Sequence, residues 1–309
     1  MAEMKLTVLM DNNTYIDRYY LGEPAACYLL ETGERTILLD TGYSACTLEN
    51  ARRMGVDLSR VTDIVLSHGH DDHTGGLLPF LSAFPQPVRL FAHPDAFLPK
   101  RFDGRSVGVP FDPAALPAHA ELRLSRGPAE LAPGVLFLGE IPRTNPLEAP
   151  PVGETLRGGT WEPDRLLDDT ALALATKSGL FLLTGCSHAG ICNMLQYALS
   201  LTGETRVAGV LGGRGAVAQH GEDGPLDRLA HRLERHVDRL RERGVDADGV
   251  QGLVPHAALA QAAQNLRGDD TGVAPGAHER SGRDRLANFR AVGPDGIERD
   301  LSPIEVIVN

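Results

Sequence analysis

The sequence predicts an α/β architecture, a mixed sheet or a pair of sheets covered by helices, and two observations carry that expectation. Apolar runs of strand length alternate with loops and amphipathic helical stretches, and hairpins fall among the crossovers. The composition is that of a globular protein, 42% hydrophobic and 23% charged over 309 residues, which excludes a disordered, collagen-like or coiled-coil chain. A chain this long buries about three quarters of its unfolded surface and needs no disulfide staples. At about 150 residues per domain, two domains would be conceivable. No low-complexity linker or internal repeat divides the sequence, so one domain over residues 1–309 is expected.

In chain order, residues 4–10 form a strand that stops at the polar run Asp11-Asn12-Asn13-Thr14. Residues 25–30 and 35–39 are two strands joined by the turn Glu31-Thr32-Gly33-Glu34, after which Asp40-Thr41-Gly42 leaves the sheet. Residues 47–54 are helical and end at Gly55. Ile64-Val65-Leu66 is a short buried strand that runs straight into a histidine-rich loop, and residues 77–84 continue as a helix up to Pro85. Further strands are expected at 88–91, 135–138, 171–175, 180–183, 207–211 and 250–254, and helices at 191–201 and 257–266. Leu226, Leu229, Leu233, Val237 and Leu240 share one face of another helix. The Pro/Gly-rich stretch 99–118 has no clear period and reads as a surface excursion. The similar stretch 144–168 reads as a structureless loop and hence a lid candidate. Residues 268–285 are polar and irregular.

The formal net charge of −11 argues against nucleic acid or an anionic membrane surface as partner, but it leaves room for a small anionic substrate held by a few arginines. Nothing approaches about 18 consecutive apolar residues, and the N-terminus lacks the basic and apolar regions of a signal peptide. A soluble cytoplasmic protein is therefore expected. Cys27, Cys46, Cys186 and Cys192 form no Cys-x-x-Cys pair and no disulfide framework. Lys5, Lys100 and Lys177 are the only lysines, which reads as composition bias without mechanistic content.

Chemistry concentrates in Ser67-His68-Gly69-His70-Asp71-Asp72-His73-Thr74-Gly75-Gly76. Three imidazoles and two carboxylates lie within six residues, directly after a buried strand. Such donors suit zinc, iron, manganese or nickel. On a loop, His68 and His70 can point the same way across the small Gly69, while Asp72 and His73 face a second metal. Asp71 diverges from Asp72 and is left to loop solvation. Two metals together would supply a hydroxide nucleophile and a clamp on the developing oxyanion.

This run resembles the His-x-His-x-Asp-His signature of the metallo-β-lactamase superfamily, and the resemblance extends over most of the chain. It implies an αββα sandwich, two mixed β-sheets flanked by helices. It also implies a metal set of His68, His70, Asp72, His73, His188 and His256, with Asp72 and His188 at the chemistry. One or two zinc ions per chain would be bound, with iron or manganese as alternatives. Asp40, in Asp40-Thr41-Gly42, matches an early Asp that supports a ligand by hydrogen bonding. Gly185-Cys186-Ser187-His188-Ala189-Gly190 and Val254-Pro255-His256 stand where further ligands are placed.

Several segments are similar to one branch, that of the dihydropterin–ribofuranosylaminobenzene phosphate synthases and related metal-dependent hydrolases. They are Thr7-Val8-Leu9-Met10-Asp11-Asn12, Gly139-Glu140-Ile141-Pro142-Arg143, Asp168-Asp169 and the Cys186–His188 run. Two segments depart from that branch. Gly212-Gly213-Arg214-Gly215-Ala216 replaces Gly-Gly-Phe-His-Leu, and Ala257-Ala258 follows His256 in place of Cys-Thr-Gly. His220 is the nearest histidine that could substitute. The superfamily's usual bridging Asp is replaced at Thr184-Gly185-Cys186, where the thiol is either a ligand or a buried inert group.

Asp169 precedes a strand and either orients a ligand histidine or forms a turn. Arg143 and Arg214 can clamp a carboxylate or phosphate in bidentate fashion, with a surface salt bridge as the plain alternative. Asn12 is placed at the cleft rim, beside Asn13. The expected activity is a metal-dependent hydrolase, or a lyase or synthase, acting on a small and anionic substrate. The partner is that small molecule alone, and the oligomeric state is left open. A di-iron redox enzyme and a non-catalytic binding protein on the same scaffold are the alternatives.

Overall fold

The computed structural model describes residues 4–213, apart from 13, 15–17, 146 and 147, and the backbone of 290–292, 298–300 and 305–308. The first strands are β1 (Met4–Met10), β2 (Cys27–Glu31), β3 (Thr36–Leu39), β4 (Asp63–Val65) and β5 (Val88–Ala92). Then come β6 (Lys100–Phe102), β7 (Arg105–Ser106), β8 (Ala120–Leu124), β9 (Ala129–Ala132) and β10 (Val135–Phe137). They are followed by β11 (Glu154–Arg157), β12 (Thr160–Pro163), β13 (Ala171–Thr176), β14 (Gly179–Thr184) and β15 (Val207–Gly212). The last are β16 (Arg290–Val292), β17 (Glu298–Asp300) and β18 (Glu305–Val308). Helices α1 (Cys46–Met54), α2 (Asp71–Thr74), α3 (Leu77–Ala83) and α4 (Ile191–Thr202) lie between them.

Two mixed sheets are formed, in the orders β18-β1-β2-β3-β4-β5-β8 and β17-β16-β15-β14-β13-β10-β9. Central strands such as β2, β3 and β14 read as continuous apolar runs because both faces are buried. In β2 and β3, Tyr28, Leu30, Ile37 and Leu39 face the second sheet, whereas Leu29 and Leu38 face α1 and α3. In β14, Phe181 and Leu183 meet the first sheet, while Leu180 and Leu182 meet Met194, Leu195 and Ala198 of α4. The result is the expected sandwich of two sheets between helical layers. Helix α1 ends where Gly55 takes a left-handed conformation and returns its amide to Arg52 and Ala51.

Strands β3, β4 and β5 run parallel, so the loops after β3 and β4 open at the same end of the first sheet. In the second sheet β14 and β15 are parallel, and β13 is antiparallel to β14. The segment entering β13 therefore lies beside the loop leaving β14. This strand polarity puts residues 40, 67–73, 168–169 and 186–188 within reach of one another.

The two Pro/Gly-rich stretches differ from expectation. Neither is structureless: 99–118 contributes β6 and β7, 144–168 contributes β11 and β12, and together they make a third sheet in the order β12-β11-β6-β7. Strands β8 and β9, at the sheet edges, also lie outside the expected set. The helix through Leu226–Leu240, the strand at 250–254, the helix at 257–266, Arg214, His220 and His256 lie outside the described residues.

Phe137 is fully buried between the sheets, its ring 6.5 Å from that of Phe91. Phe137→Ala is expected to destabilise the fold by about 3–5 kcal/mol. Urea unfolding followed by circular dichroism measures this, and an unchanged midpoint would contradict the packing described.

Candidate metal centre

The centre is built outward from Asp40. This residue follows β3 directly with φ +61°, a left-handed conformation that turns its buried carboxylate across to the β4 loop. Asp40 Oδ1 accepts the Ser67 amide at 2.7 Å. Asp40 Oδ2 accepts both the Ser67 hydroxyl and the Nδ1–H of His73, each at 2.7 Å. With its proton given to Asp40, the Ser67 hydroxyl can only accept from His68 Nδ1, 3.0 Å away. One carboxylate thus fixes the tautomers of two imidazoles and leaves Nε2 of each facing inward.

Gly69 carries the chain between His68 and His70. A Cβ at this position would run into the Ala96 carbonyl, so only glycine lets the loop lie so close to the segment after β5. His68 Nε2 and His70 Nδ1 stand 3.1 Å apart. His188 closes the group from the β14 loop, with ring centroids 4.9 and 5.1 Å from those of His68 and His70. Ser187, at φ +59°, gives its hydroxyl to the Gly213 carbonyl at 2.8 Å and turns the chain between Cys186 and His188. Both ring nitrogens of His188 are buried without a hydrogen-bond partner among the described residues. Three nitrogen donors converging in this way, one of them orphaned, fit a divalent cation such as zinc.

A second donor set adjoins the first. His73 Nε2 lies 3.3 Å from Asp72 Oδ2 and 3.1 Å from Cys186 Sγ, and His68, His73 and Cys186 can also share an ion. Of the two readings open for Cys186, ligand or buried inert thiol, the geometry favours the first by putting the sulfur among the donors. The signal was its place, at the end of a strand where a carboxylate is usual.

The electrostatics differ between the two sets. Burial and the neighbouring imidazoles push His68 and His188 well below the usual histidine range, and burial lowers His70. All three thus offer neutral nitrogen donors. Burial would also depress His73, but Asp72, Cys186 and Asp40 around it hold it well above its usual value. Asp72 is lowered by His73 despite its own burial, and burial raises the Cys186 thiol.

Two adjacent carboxylates brace the loops from behind. Asp168 Oδ2 accepts the Gly69 amide at 2.8 Å, and Asp169 Oδ2 accepts the Ala189 amide at 2.6 Å. Asp169 Oδ1 stands 3.9 Å from His68 Nδ1, and burial pushes this carboxyl up to about 7. Asp168 ion-pairs with Lys100, a contact that sequence reading missed because Lys100 falls in a stretch with no periodicity. Arg143 is placed differently from the anion clamp expected: its guanidinium donates to the carbonyls of His188 and Leu166, at 3.3 and 2.5 Å. It braces the His188 loop. Asn12 lies in the bend after β1 with its amide on Asp11. Among the described residues, no hydrogen bond joins its side chain to the donors.

The family model of the metallo-β-lactamase superfamily matches residues 21–188, more than half of the chain. The chain is 31% identical over 191 residues to the 7,8-dihydropterin-6-methyl-4-(β-D-ribofuranosyl)-aminobenzene-5′-phosphate synthase of Methanocaldococcus jannaschii. That alignment covers 58% of this chain and 65% of the synthase, just under two thirds of its length. An uncharacterized protein of the same organism is 30% identical over 209 residues, covering 67% of this chain and 78% of that protein. Among solved structures, Tm1679, described as a metal-dependent hydrolase of the β-lactamase superfamily, superposes with a TM-score of 0.61 at 28% identity. That match covers 79% of this chain and 85% of the other. No helix among the described residues is long and apolar enough to cross a membrane.

The contrast between the two donor sets predicts an NMR titration of chelator-treated protein. His68 and His188 should protonate well below the usual value of about 6.5, and His73 well above it. Proton linkage fixes the signs. His73 adds stability below about 6.5 that is lost as pH rises through its folded value. His68 and His188 cost stability once pH falls below about 6.5, where the unfolded chain takes up protons that they refuse. A His188 titrating at the usual value would contradict the site described.

Proposed function

The chain belongs to the metallo-β-lactamase superfamily, and on that premise we propose that it is a metal-dependent hydrolase of a small, anionic substrate. The observation that carries this reading is the convergence of His68, His70 and the unpartnered His188. These three would hold one cation. Asp72, His73 and Cys186 would hold a second, with His256 as a further candidate ligand. Zinc suits the nitrogen and sulfur donors, and manganese or iron is the alternative. When bound, such a cation supplies Lewis acidity and makes water acidic near neutral pH.

The chain's own groups complete the chemistry. Asp72, held ionised by His73, can take a proton from the attacking water. His73 is locked in orientation by Asp40, so its Nε2 stays directed at the reacting end. Ser67 keeps His68 turned inward from behind, while Asp169, with a carboxyl raised to about 7, holds the Ala189 amide next to His188. An ester, lactone, thioester or phosphate ester fits this arrangement. Arg214, in place of the branch's histidine, is the candidate for reading a substrate anion.

The identity to the pterin-linked synthase favours a second reading. There, the same groups would polarise a phosphorylated precursor for a lyase or synthase reaction.

The test is turnover by zinc- or manganese-loaded protein on a panel of lactones, thioesters and phosphate esters. His70→Ala and Asp72→Ala should each lower kcat/KM by more than about a hundredfold, since even residues behind the ligands cost 10–100-fold in comparable sites. Circular dichroism should show both variants folded. Wild-type turnover by either would sink the proposal. No turnover of any hydrolytic substrate by wild-type protein with metal bound would move the assignment to the synthase reading.

Cys186→Ala should retain the first equivalent of zinc and lose the second, as read by elemental analysis of dialysed protein. Two equivalents retained would remove the sulfur from the donor set.

A further inference from the structure

We propose that Lys100 is a positioning residue for the metal centre: its ammonium holds Asp168 on the Gly69 amide and so sets the placement of His68 and His70. The proposal rests on the reading that these histidines, with His188, hold a metal.

Lys100 lies on β6 of the small third sheet and is only 2% exposed. Its Nζ donates to Asp164 Oδ2 at 2.9 Å and to Asp168 Oδ1 at 3.0 Å. The other oxygen of Asp168 accepts the Gly69 amide at 2.8 Å. Gly69 backs onto the Ala96 carbonyl, so at this residue the loop lies between that wall and the Asp168 carboxylate, while the neighbouring Asp71 amide bonds the Val107 carbonyl. Nothing else described bonds the Gly69 amide, and moving it would move the histidines on either side.

The far end of the chain of contacts is equally fixed. Asp164 accepts the Leu166 amide on Oδ1 at 2.7 Å, and its own backbone bonds Gly153 and Val152. Strand β6 pairs with β11, with Thr155 opposite Lys100. The third sheet is thus tied to the metal loop through a buried cation, beside the backbone contacts of Val107 and Gly108, just after β7, with Asp71 and His70. Lys100 offsets the burial that would otherwise neutralise Asp168, keeping this carboxylate ionised and purely an acceptor. A buried cation between two carboxylates is stabilising only with every partner in place, which makes the geometry specific.

The test uses the full-length protein and zinc. Affinity for the first equivalent is read by competition with a chromophoric chelator, and ligand geometry by the visible spectrum of the cobalt-substituted protein. Lys100→Met is expected to weaken the first equivalent by about tenfold or more and to shift the cobalt bands. Lys100→Met leaves two buried carboxylates without a counter-ion. The double variant Lys100→Met/Asp164→Asn removes one charge of each sign and carries the test where the single variant does not fold. Asp164→Asn alone keeps the Lys100–Asp168 bridge and should bind zinc as the wild type does.

Wild-type affinity with an unshifted cobalt spectrum in either Lys100 variant would overturn the proposal. So would an equal loss in Asp164→Asn, because packing of the third sheet would then set the loop. A wild-type protein that binds no zinc would instead refute the metal reading itself.

Discussion

One imidazole of each donor set, His68 and His73, depends on the buried Asp40 carboxylate. It accepts from the Ser67 amide, the Ser67 hydroxyl and the His73 ring, and through the hydroxyl it also decides the tautomer of His68. A charged group at 0% exposure is tolerable only because its acceptor capacity is so fully used. Its left-handed backbone is a local cost that the surrounding sheet imposes, a frequent arrangement at functional sites. Remove that carboxylate and both imidazoles lose the partner that turns Nε2 inward.

Around this anchor the fold contributes rigid loop origins. Parallel strands β3 and β4 deliver Asp40 and the His68–His73 run at one end of the first sheet, while β13 and β14 deliver Asp169 and the Cys186–His188 run from the second. The small third sheet braces the metal loop through Lys100 and Asp168, and Arg143 braces the His188 loop through backbone carbonyls. The donors therefore sit on loops whose freedom is removed from several sides, which is what a preorganised metal centre requires.

The features legible in the sequence were those with local causes. Core strands such as β1, β3 and β14 announce themselves as apolar runs because both faces are buried, and Gly55 marks the end of α1. The histidine run was legible because its donors are neighbours in sequence. Strands β6, β7, β11 and β12 were not: they are two to four residues long and mostly exposed or half-buried, and the two short hairpins they form become one sheet only where β6 pairs with β11 across about fifty residues. The role of Lys100 is invisible for the same reason, since its partners at 164 and 168 are brought to it by that pairing. Arg143 shows the converse case, in which a residue type suggested an anion clamp but burial turned it toward carbonyls. Cys186 was ambiguous by chemistry alone and needed the 3.1 Å approach of His73 Nε2 to place it among the donors.

The central claim is that His68, ordered by Asp40 through Ser67, converges with His70 and His188 on a cation. The most direct measurement is a crystal grown with zinc, with anomalous difference maps recorded on both sides of the zinc absorption edge. The account predicts a peak bound by His68 Nε2, His70 Nδ1 and a ring nitrogen of His188, with His73 Nδ1 still on Asp40. Zinc found only at surface carboxylates, or His68 ligating through Nδ1, would contradict it.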